Sequence, residues 1–337
     1  MAHLAAEAKE SGMVKSYLDD VLAQPGALRL ALDAYRERGF PASMRGLRGF
    51  ERVIFAGTGL SRHACHGAAI HLADWGVDAC VKSAGELFQY EWNLVDEACL
   101  LVLVSPSGEE PELLALLEGL PPGANIAAIT AEPESSLGRR AGALFPLCVE
   151  GGESLPTRSY LASWVLASML ARAIAGDSAD PFIGSVGAAM DSLDALLGRT
   201  GELGPALARF FGQPGFLCYL GKGHSYSSVF GGALVTSRFA RCPAMGFDPD
   251  EFGREGPGGE GGSCNSIIFA PEGAAYAENC RMAGEIASRG GKALLVTDLD
   301  PGMEGPGLMT VDYAPVGEAF SPLVDIALAQ LSAVVFA

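Results

Sequence analysis

Positive charge is what this sequence has least of. Its 337 residues hold 23 Lys and Arg against 40 Asp and Glu, a formal net charge of −17. Polyanions are held by clustered cations, so nucleic acid and an acidic membrane surface are excluded as partners. Any anion this chain binds must be gripped by backbone dipoles and hydroxyls. Long apolar runs are missing as well. No stretch reaches the ~18 uninterrupted apolar residues of a membrane span, and the opening residues MAHLAAEAKESGMVK lack the charged-then-apolar pattern of a signal peptide. The eight cysteines (65, 80, 99, 148, 218, 242, 264, 280) include no CxxC pair, and several sit inside apolar runs. They read as buried small hydrophobes in a reducing cytosol, not as a disulfide frame. What is present is apolar bulk: 49% hydrophobic against 19% charged residues allows a large core and argues against disorder. The length fits two medium domains.

The stretch LLVLVSPSGEEPELLALLEGL, residues 100–120, organises the rest. Residues 100–104 are too short for a helix and rich in Val and Leu, as in a strand buried on both faces. Ser105, Pro106, Ser107 and Gly108 break the run. Pro111 and the leucines at 113, 114, 116, 117 and 120 then set up a helical stripe. Strand, hydroxyl-rich loop and helix in that order bring free N–H groups and a positive helix end to two serines. Such a loop suits a phosphate; equally, Ser105 and Ser107 could serve only to cap the helix.

Upstream, residues 13–23 and 27–35 carry helical periodicity on either side of Gln24-Pro25-Gly26, a helical hairpin leading into the first sheet. Residues 52–56 form a short apolar strand ending in Gly57-Thr58-Gly59-Leu60-Ser61, where glycine permits a sharp turn and Ser61 is a natural cap for a helix over 64–73. With strands near 77–81, 100–105, 124–130 and 143–148, each separated by a helix-length segment, the pattern predicts a doubly wound parallel sheet. Ligands then bind beyond the carboxyl ends of the strands, where Ser61 and residues 105–108 both lie. A Gly-rich loop at 149–156 is followed by helices over 157–174 and 181–211.

The second half repeats the first. A strand at 217–220 ends in Gly221-Lys222-Gly223-His224-Ser225. A shift of 164 residues lays Gly57, Gly59, Ser61, Gly67 and Ala69 on Gly221, Gly223, Ser225, Gly231 and Ala233. Strands at 266–270 and 294–297 follow, and an apolar helix over 320–336 closes the chain. This ordered duplication predicts two sheets of one type. Pro271-Glu272-Gly273 stands where the first copy has its serine loop, so only the first half keeps the anion cradle. Residues 244–262 form a long Gly- and acid-rich connection, of the kind that is often functional and as often plainly solvated.

Together these motifs resemble the sugar isomerase (SIS) family over nearly the whole chain. The resemblance runs from VKSYLDDVLAQPGAL through GTGLSRHA, VSPSGE, ESLPTRSY, LGKGHSY with GGAL, to EFGREGP. It implies two flavodoxin-like three-layer α/β/α domains in tandem, each with a five-stranded parallel sheet. The expected division is lead-in helices over 1–45, a first SIS domain over 46–178, bridging helices over 179–205 and a second SIS domain over 206–337. It also implies a homodimer in the cytoplasm, an aminated or ketose sugar phosphate as ligand, and no cofactor. Substrate would meet Gly57, Thr58, Gly59, Ser61, Ser105, Ser107 and Gly108, with Ser154 and Thr157 closing over the sugar. The proton-transferring base falls on Glu251, which suits moving a proton between C1 and C2 of an open-chain sugar, and Glu255 is its candidate partner. Three departures stand out. Glu110 replaces a Thr that touches phosphate, Pro106 replaces a Gln, and Glu255 replaces a ring-opening His. The sequence also stops at Ala337 without the family synthase's Lys-bearing tail, and no glutamine-hydrolysing domain precedes residue 13, so synthase-type catalysis is not expected.

Other polar residues carry weaker signals. His63 and His66 share a helical face without an acidic third ligand nearby, so no metal site is expected. His224 could reach a ligand or cap a helix. Arg158 and Lys222 are cations placed to pair with a phosphate. Two functions stay open: a SIS-type isomerase, deglycase or deaminase, and a sugar-phosphate-binding protein without turnover.

Overall fold

The computed structural model describes residues 2–151, 155–255 and 263–337. In chain order the elements are α1 (Ala2–Leu22), α2 (Gln24–Glu37), α3 (Phe40–Arg45), β1 (Arg52–Gly57), α4 (Leu60–His63), α5 (His66–Asp74), β2 (Asp78–Ser83), α6 (Ala84–Glu86), β3 (Cys99–Val104), α7 (Pro111–Gly119), β4 (Asn125–Thr130), α8 (Ser136–Arg140), β5 (Ala143–Pro146), α9 (Arg158–Ala175), α10 (Ala179–Gly198), α11 (Thr200–Phe211), β6 (Leu217–Leu220), α12 (Tyr226–Phe239), β7 (Ala244–Phe247), α13 (Pro249–Glu255), β8 (Asn265–Phe269), α14 (Tyr276–Ser288), β9 (Lys292–Thr297), β10 (Leu308–Asp312) and α15 (Pro322–Phe336). Two compact units result: residues 26–186, and residues 1–25 together with 187–337.

The first unit holds a sheet of order β2-β1-β3-β4-β5, all parallel. β3 lies at its centre and every residue of it is buried, which is why its sequence runs apolar without alternation. One face packs Ile54, Ala56, Leu101, Leu103 and Ala128 against Leu113, Leu116 and Leu117 of α7 and Leu137 of α8. α5 and α9 pack together on the other side, α5 reaching β2 and α9 reaching β4.

The second unit repeats the order exactly in its own numbering: β10-β9-β8-β6-β7, again all parallel. Cys218, Leu220, Ile268, Ala270 and Leu295 meet Met282, Ala283 and Ile286 of α14 and Phe252 of α13, while α12 and α15 pack against each other beside β6. The duplication expected from the glycine spacing is therefore present as topology. One expectation changes. The connection over 244–262 is not a plain loop, because its first residues add β7 to the sheet edge and α13 follows. Four residues with a central glycine and a half-exposed pattern give an edge strand little sequence signature. β10 escaped notice for a similar reason, since Leu308–Asp312 is a five-residue edge strand that is mostly unburied. β9 and β10 are joined without a helix.

Candidate functional site

In a sheet of this order the chain leaves β1 and β3 in opposite directions, which opens a crevice at their carboxyl ends. A Cβ built on Gly57 would lie 2.8 Å from the Val104 carbonyl oxygen, 3.2 Å from the Arg62 nitrogen and 3.2 Å from Ser61 Cβ. Only glycine lets the end of β1, the root of the serine loop and the start of α4 converge that closely. Gly59 follows at φ 57°, ψ −125°, a glycine conformation, and is the residue that opens α4. Ser61 therefore lies inside α4 and does not cap it. Thr58 is exposed. Gly57, Ser61 and the root of the Ser105 loop are thus brought together.

The loop after β3 is pinned along its length. Ser105 N–H donates to the Ile129 carbonyl (3.0 Å), and the Pro106 carbonyl accepts from Ala131 N–H (3.0 Å) and Thr130 Oγ1 (3.2 Å). Gly108 adopts φ 67°, and a Cβ there would sit 2.1 Å from Ser135 Oγ. Ser105, only 4% exposed, accepts the Gly108 N–H (2.7 Å), and Ser107 accepts the Glu109 N–H (3.2 Å). Both serines therefore fold the loop on itself upstream of α7, whose capping residue is Glu110. Helix capping by the two serines is not what is seen.

The remaining hydrogen of the Ser105 hydroxyl goes to the Glu110 carboxylate. Glu110 is half-buried and turned into the loop, not outward along the helix dipole. Glu109 serves a different helix. It accepts from Ser136 N–H (2.6 Å) and Ser136 Oγ (3.0 Å) at the start of α8, and those two bonds hold its carboxyl below the usual range. The link between Glu110 and Ser105 is a contact that sequence spacing did not reveal. The one signal for it was a carboxylate at a position where a neutral hydroxyl was expected.

Several other candidates are placed plainly. His63 Nδ1 and His66 Nε2 are 3.4 Å apart with near-parallel rings. Burial, the charge of Arg62 and, for His63, its neighbour His66 push them down to about 3 and about 4, so both imidazoles are neutral at physiological pH. Arg62 is thus a third cation beside these loops, one the sequence reading passed over. Among the described residues no group of three or more His, Cys, Asp or Glu is set to hold a metal ion. Thr157 is fully buried at the head of α9, and Arg158 faces Glu150 at 4.0 Å. Ser154 lies outside the described residues.

In the second unit Lys222 Nζ meets Asp250 Oδ2 at 2.6 Å, Glu278 Oε2 at 2.7 Å and Asp248 Oδ1 at 3.8 Å, and those carboxylates raise its pKa. Its charge is spent inside the protein, so Lys222 is not a waiting phosphate partner. Tyr226 OH also donates to Asp248 (2.7 Å). Glu251 is exposed on α13, directly after Asp250 of this network. Glu255 ends the same helix, and its side chain lies outside the described set. His224 sits in the tight turn before α12. A cavity of about 930 Å³ lies beside β10, lined by Asp298, Asp300, Glu304, Asp312 and Tyr313 among others; none of the sequence-predicted site residues lines it.

Residues 46–173 match the SIS domain model. Glutamine–fructose-6-phosphate aminotransferase [isomerizing] of Bacillus subtilis is 26% identical over 263 residues, 73% of this chain and 43% of that protein. The Zymomonas mobilis protein of the same name is 23% identical over 96% of this chain and 56% of its own length. This chain therefore spans about half the length of the curated relatives it matches. Among solved structures, the C-terminal domain of glucosamine-fructose-6-phosphate aminotransferase from Francisella tularensis superposes with a TM-score of 0.78 at 20% identity, covering 95% of each chain. Tagatose-6-phosphate ketose/aldose isomerase from Escherichia coli gives 0.76 at 16% identity, over 95% of this chain and 92% of that one. The segment that matches the SIS domain model, 46–173, is the one that carries the first parallel sheet, the glycine-shaped crevice and the serine loop after the central strand.

Proposed function

We propose that this protein binds an amino or keto sugar at the tip of its first sheet and acts on it as an isomerase or deglycase. The observation that carries this reading is the convergence of Gly57, Ser61 and the Ser105–Gly108 loop at one crevice. The half-buried Ser61 and exposed Ser107 hydroxyls there can meet the alcohols of a sugar. Gly57, Thr58, Gly59, Ser61, Ser105, Ser107 and Gly108 line the ligand in this reading, with Thr157 and Ser154 on its covering side. A six-carbon ketose phosphate, as in the names of the relatives, is the reference ligand of the screen below. Glu251 is the base that moves the proton between C1 and C2 through an enediol, with Glu255 as its partner. Two tandem SIS domains over 46–178 and 206–337, with lead-in helices over 1–45 and bridging helices over 179–205, and a homodimer in the cytoplasm complete the proposal.

One observation favours a second reading, ligand binding without turnover: the Ser105 hydroxyl is already engaged by Glu110. The test is a melting screen of hexoses, hexosamines and their 6-phosphates, followed by turnover of whichever ligand stabilises. A ligand at ~100 times its dissociation constant adds about 2.7 kcal/mol of apparent stability. Glu251→Gln should then lower turnover at least 100-fold with binding retained. Full turnover by that variant rejects the base, and binding without turnover by the wild type selects the second reading.

A further inference from the structure

We propose that the Glu110 carboxylate occupies the place of a substrate phosphate, so that the site takes an unphosphorylated sugar. This rests on the reading of the first sheet's tip as the sugar site. The donors that would grip a phosphate are already committed. The Ser105 hydroxyl donates to Glu110, the Gly108 N–H to Ser105 Oγ, and the Glu109 N–H to Ser107 Oγ. Pro106 has no N–H to offer. The oxyanion that a loop of this shape attracts is supplied from within the chain, on the helix that the loop introduces.

Charge points the same way. A dianion brought to about 4 Å from an ionised Glu110 loses about a thousand-fold in affinity per unit of its charge at intermediate dielectric. Two of the cations near the sheet tip are already engaged: Lys82 is held by Glu91 at 2.8 Å and Arg158 faces Glu150 at 4.0 Å. Arg62, beside two neutral imidazoles, keeps its charge and offsets part of the repulsion. A sugar with free hydroxyls, or one carrying an amine, meets no such repulsion. The exposed Ser107 and half-buried Ser61 hydroxyls suit its alcohols, and an ammonium group is attracted by Glu110.

The second sheet shows the same device independently. In the loop after β8, the topological counterpart of the serine loop, the Glu272 N–H donates to Asp298 Oδ1 (2.6 Å) and the Ala274 N–H to Glu318 Oε2 (3.4 Å). The Glu318 carboxylate lies against Gly273, where a Cβ would sit 2.1 Å from its oxygen. At both sheets, then, carboxylates of the chain itself occupy the loop where an external anion would go.

The experiment measures binding by calorimetry on the full chain, using fructose, glucosamine, their 6-phosphates and inorganic phosphate. The wild type, Glu110→Thr and Glu110→Gln are compared, with folding checked by circular dichroism. The wild type should prefer a free sugar over its phosphate at least 10-fold. Glu110→Thr should reverse that preference, and Glu110→Gln, which keeps an acceptor for Ser105 but no charge, should narrow it. Tighter binding of a phosphate ester by the wild type overturns this inference and leaves the proposed function standing. If no sugar binds to the wild type or to a folded Glu110→Thr, the assignment of the site itself fails, and the inference with it.

Discussion

Asp325 offers the sharpest test of how this chain handles acid groups. It is fully buried on α15, in the sequence LVDIALAQL, and neither carboxylate oxygen finds a hydrogen bond within normal geometry. Its polar neighbours are Ser321, one turn earlier on the same helix, Tyr313 after β10 and Asp298 after β9. Desolvation is the largest effect and raises its pKa well above the usual value; Asp298 raises it further, while the Ser321 and Tyr313 hydroxyls oppose. The sign follows. The folded state keeps a proton that the unfolded chain releases near pH 4, so this group's contribution is fully present below that pH and is lost as pH rises toward the folded value. Each pH unit crossed with the folded group still protonated removes about 1.4 kcal/mol. Asp325→Asn keeps the shape and cannot ionise. Urea melts of both proteins from pH 4.5 to 8 should show the variant gaining on the wild type as pH rises, by up to about 1.4 kcal/mol for each pH unit crossed. Taking the difference between the two proteins cancels the titrating groups that do not interact with Asp325. A difference that stays flat with pH, or a variant that loses ground as pH rises, refutes the burial argument.

Two further outcomes follow from local geometry. Gly108→Ala places a Cβ at φ 67° within 2.1 Å of Ser135 Oγ; a loss of about 2–4 kcal/mol is expected, and an unchanged melting temperature would show that the loop is softer than its hydrogen bonds imply. Among the cysteines, Cys264 is brought down to about 7 by the Cys218 thiol as hydrogen-bond donor and by Ser266, and it is only partly buried, whereas Cys148 and Cys280 are shifted upward by burial. Iodoacetamide at pH 7.5 should therefore modify Cys264 first; peptide mapping that finds Cys148 or Cys280 ahead of it contradicts the assignment.

Central strands were legible because burial on both faces leaves them uniformly apolar: residues 100–104 and 126–129 announce themselves. Edge strands were not. β7 and β10 are short and half-exposed, so their pattern merges with loop composition. The glycine spacing at 57, 59, 221 and 223 revealed the duplication because backbone convergence there tolerates little else; at Gly221, as at Gly57, a Cβ would be crowded, with Ser225 Cβ and Val229 Cγ2 both at 3.1 Å. The site was half legible. Ser61, Ser105 and Gly108 could be placed from strand–loop–helix order alone. The partners of Lys222 could not, since Asp248 and Glu278 come from separate segments 26 and 56 residues away in sequence.

The scarcity of cations connects these findings. With 40 acids and 23 Lys and Arg, many carboxylates have no cation of their own, and one lysine, Lys222, serves three. The others near the sheet tips turn to what a doubly wound fold has in surplus there, namely free N–H groups and loop hydroxyls. Glu109 takes the start of α8, Glu110 takes Ser105, Asp298 takes the Glu272 N–H and Glu318 the Ala274 N–H. Asp325, with neither cation nor N–H, is left to hold its proton. The groups that would bind an external anion in this fold are the same ones an acid-rich chain needs for its own side chains. A substitution such as Glu110→Thr therefore has two consequences at once: it removes an internal anion, and it frees the Ser105 hydroxyl for whatever ligand replaces it.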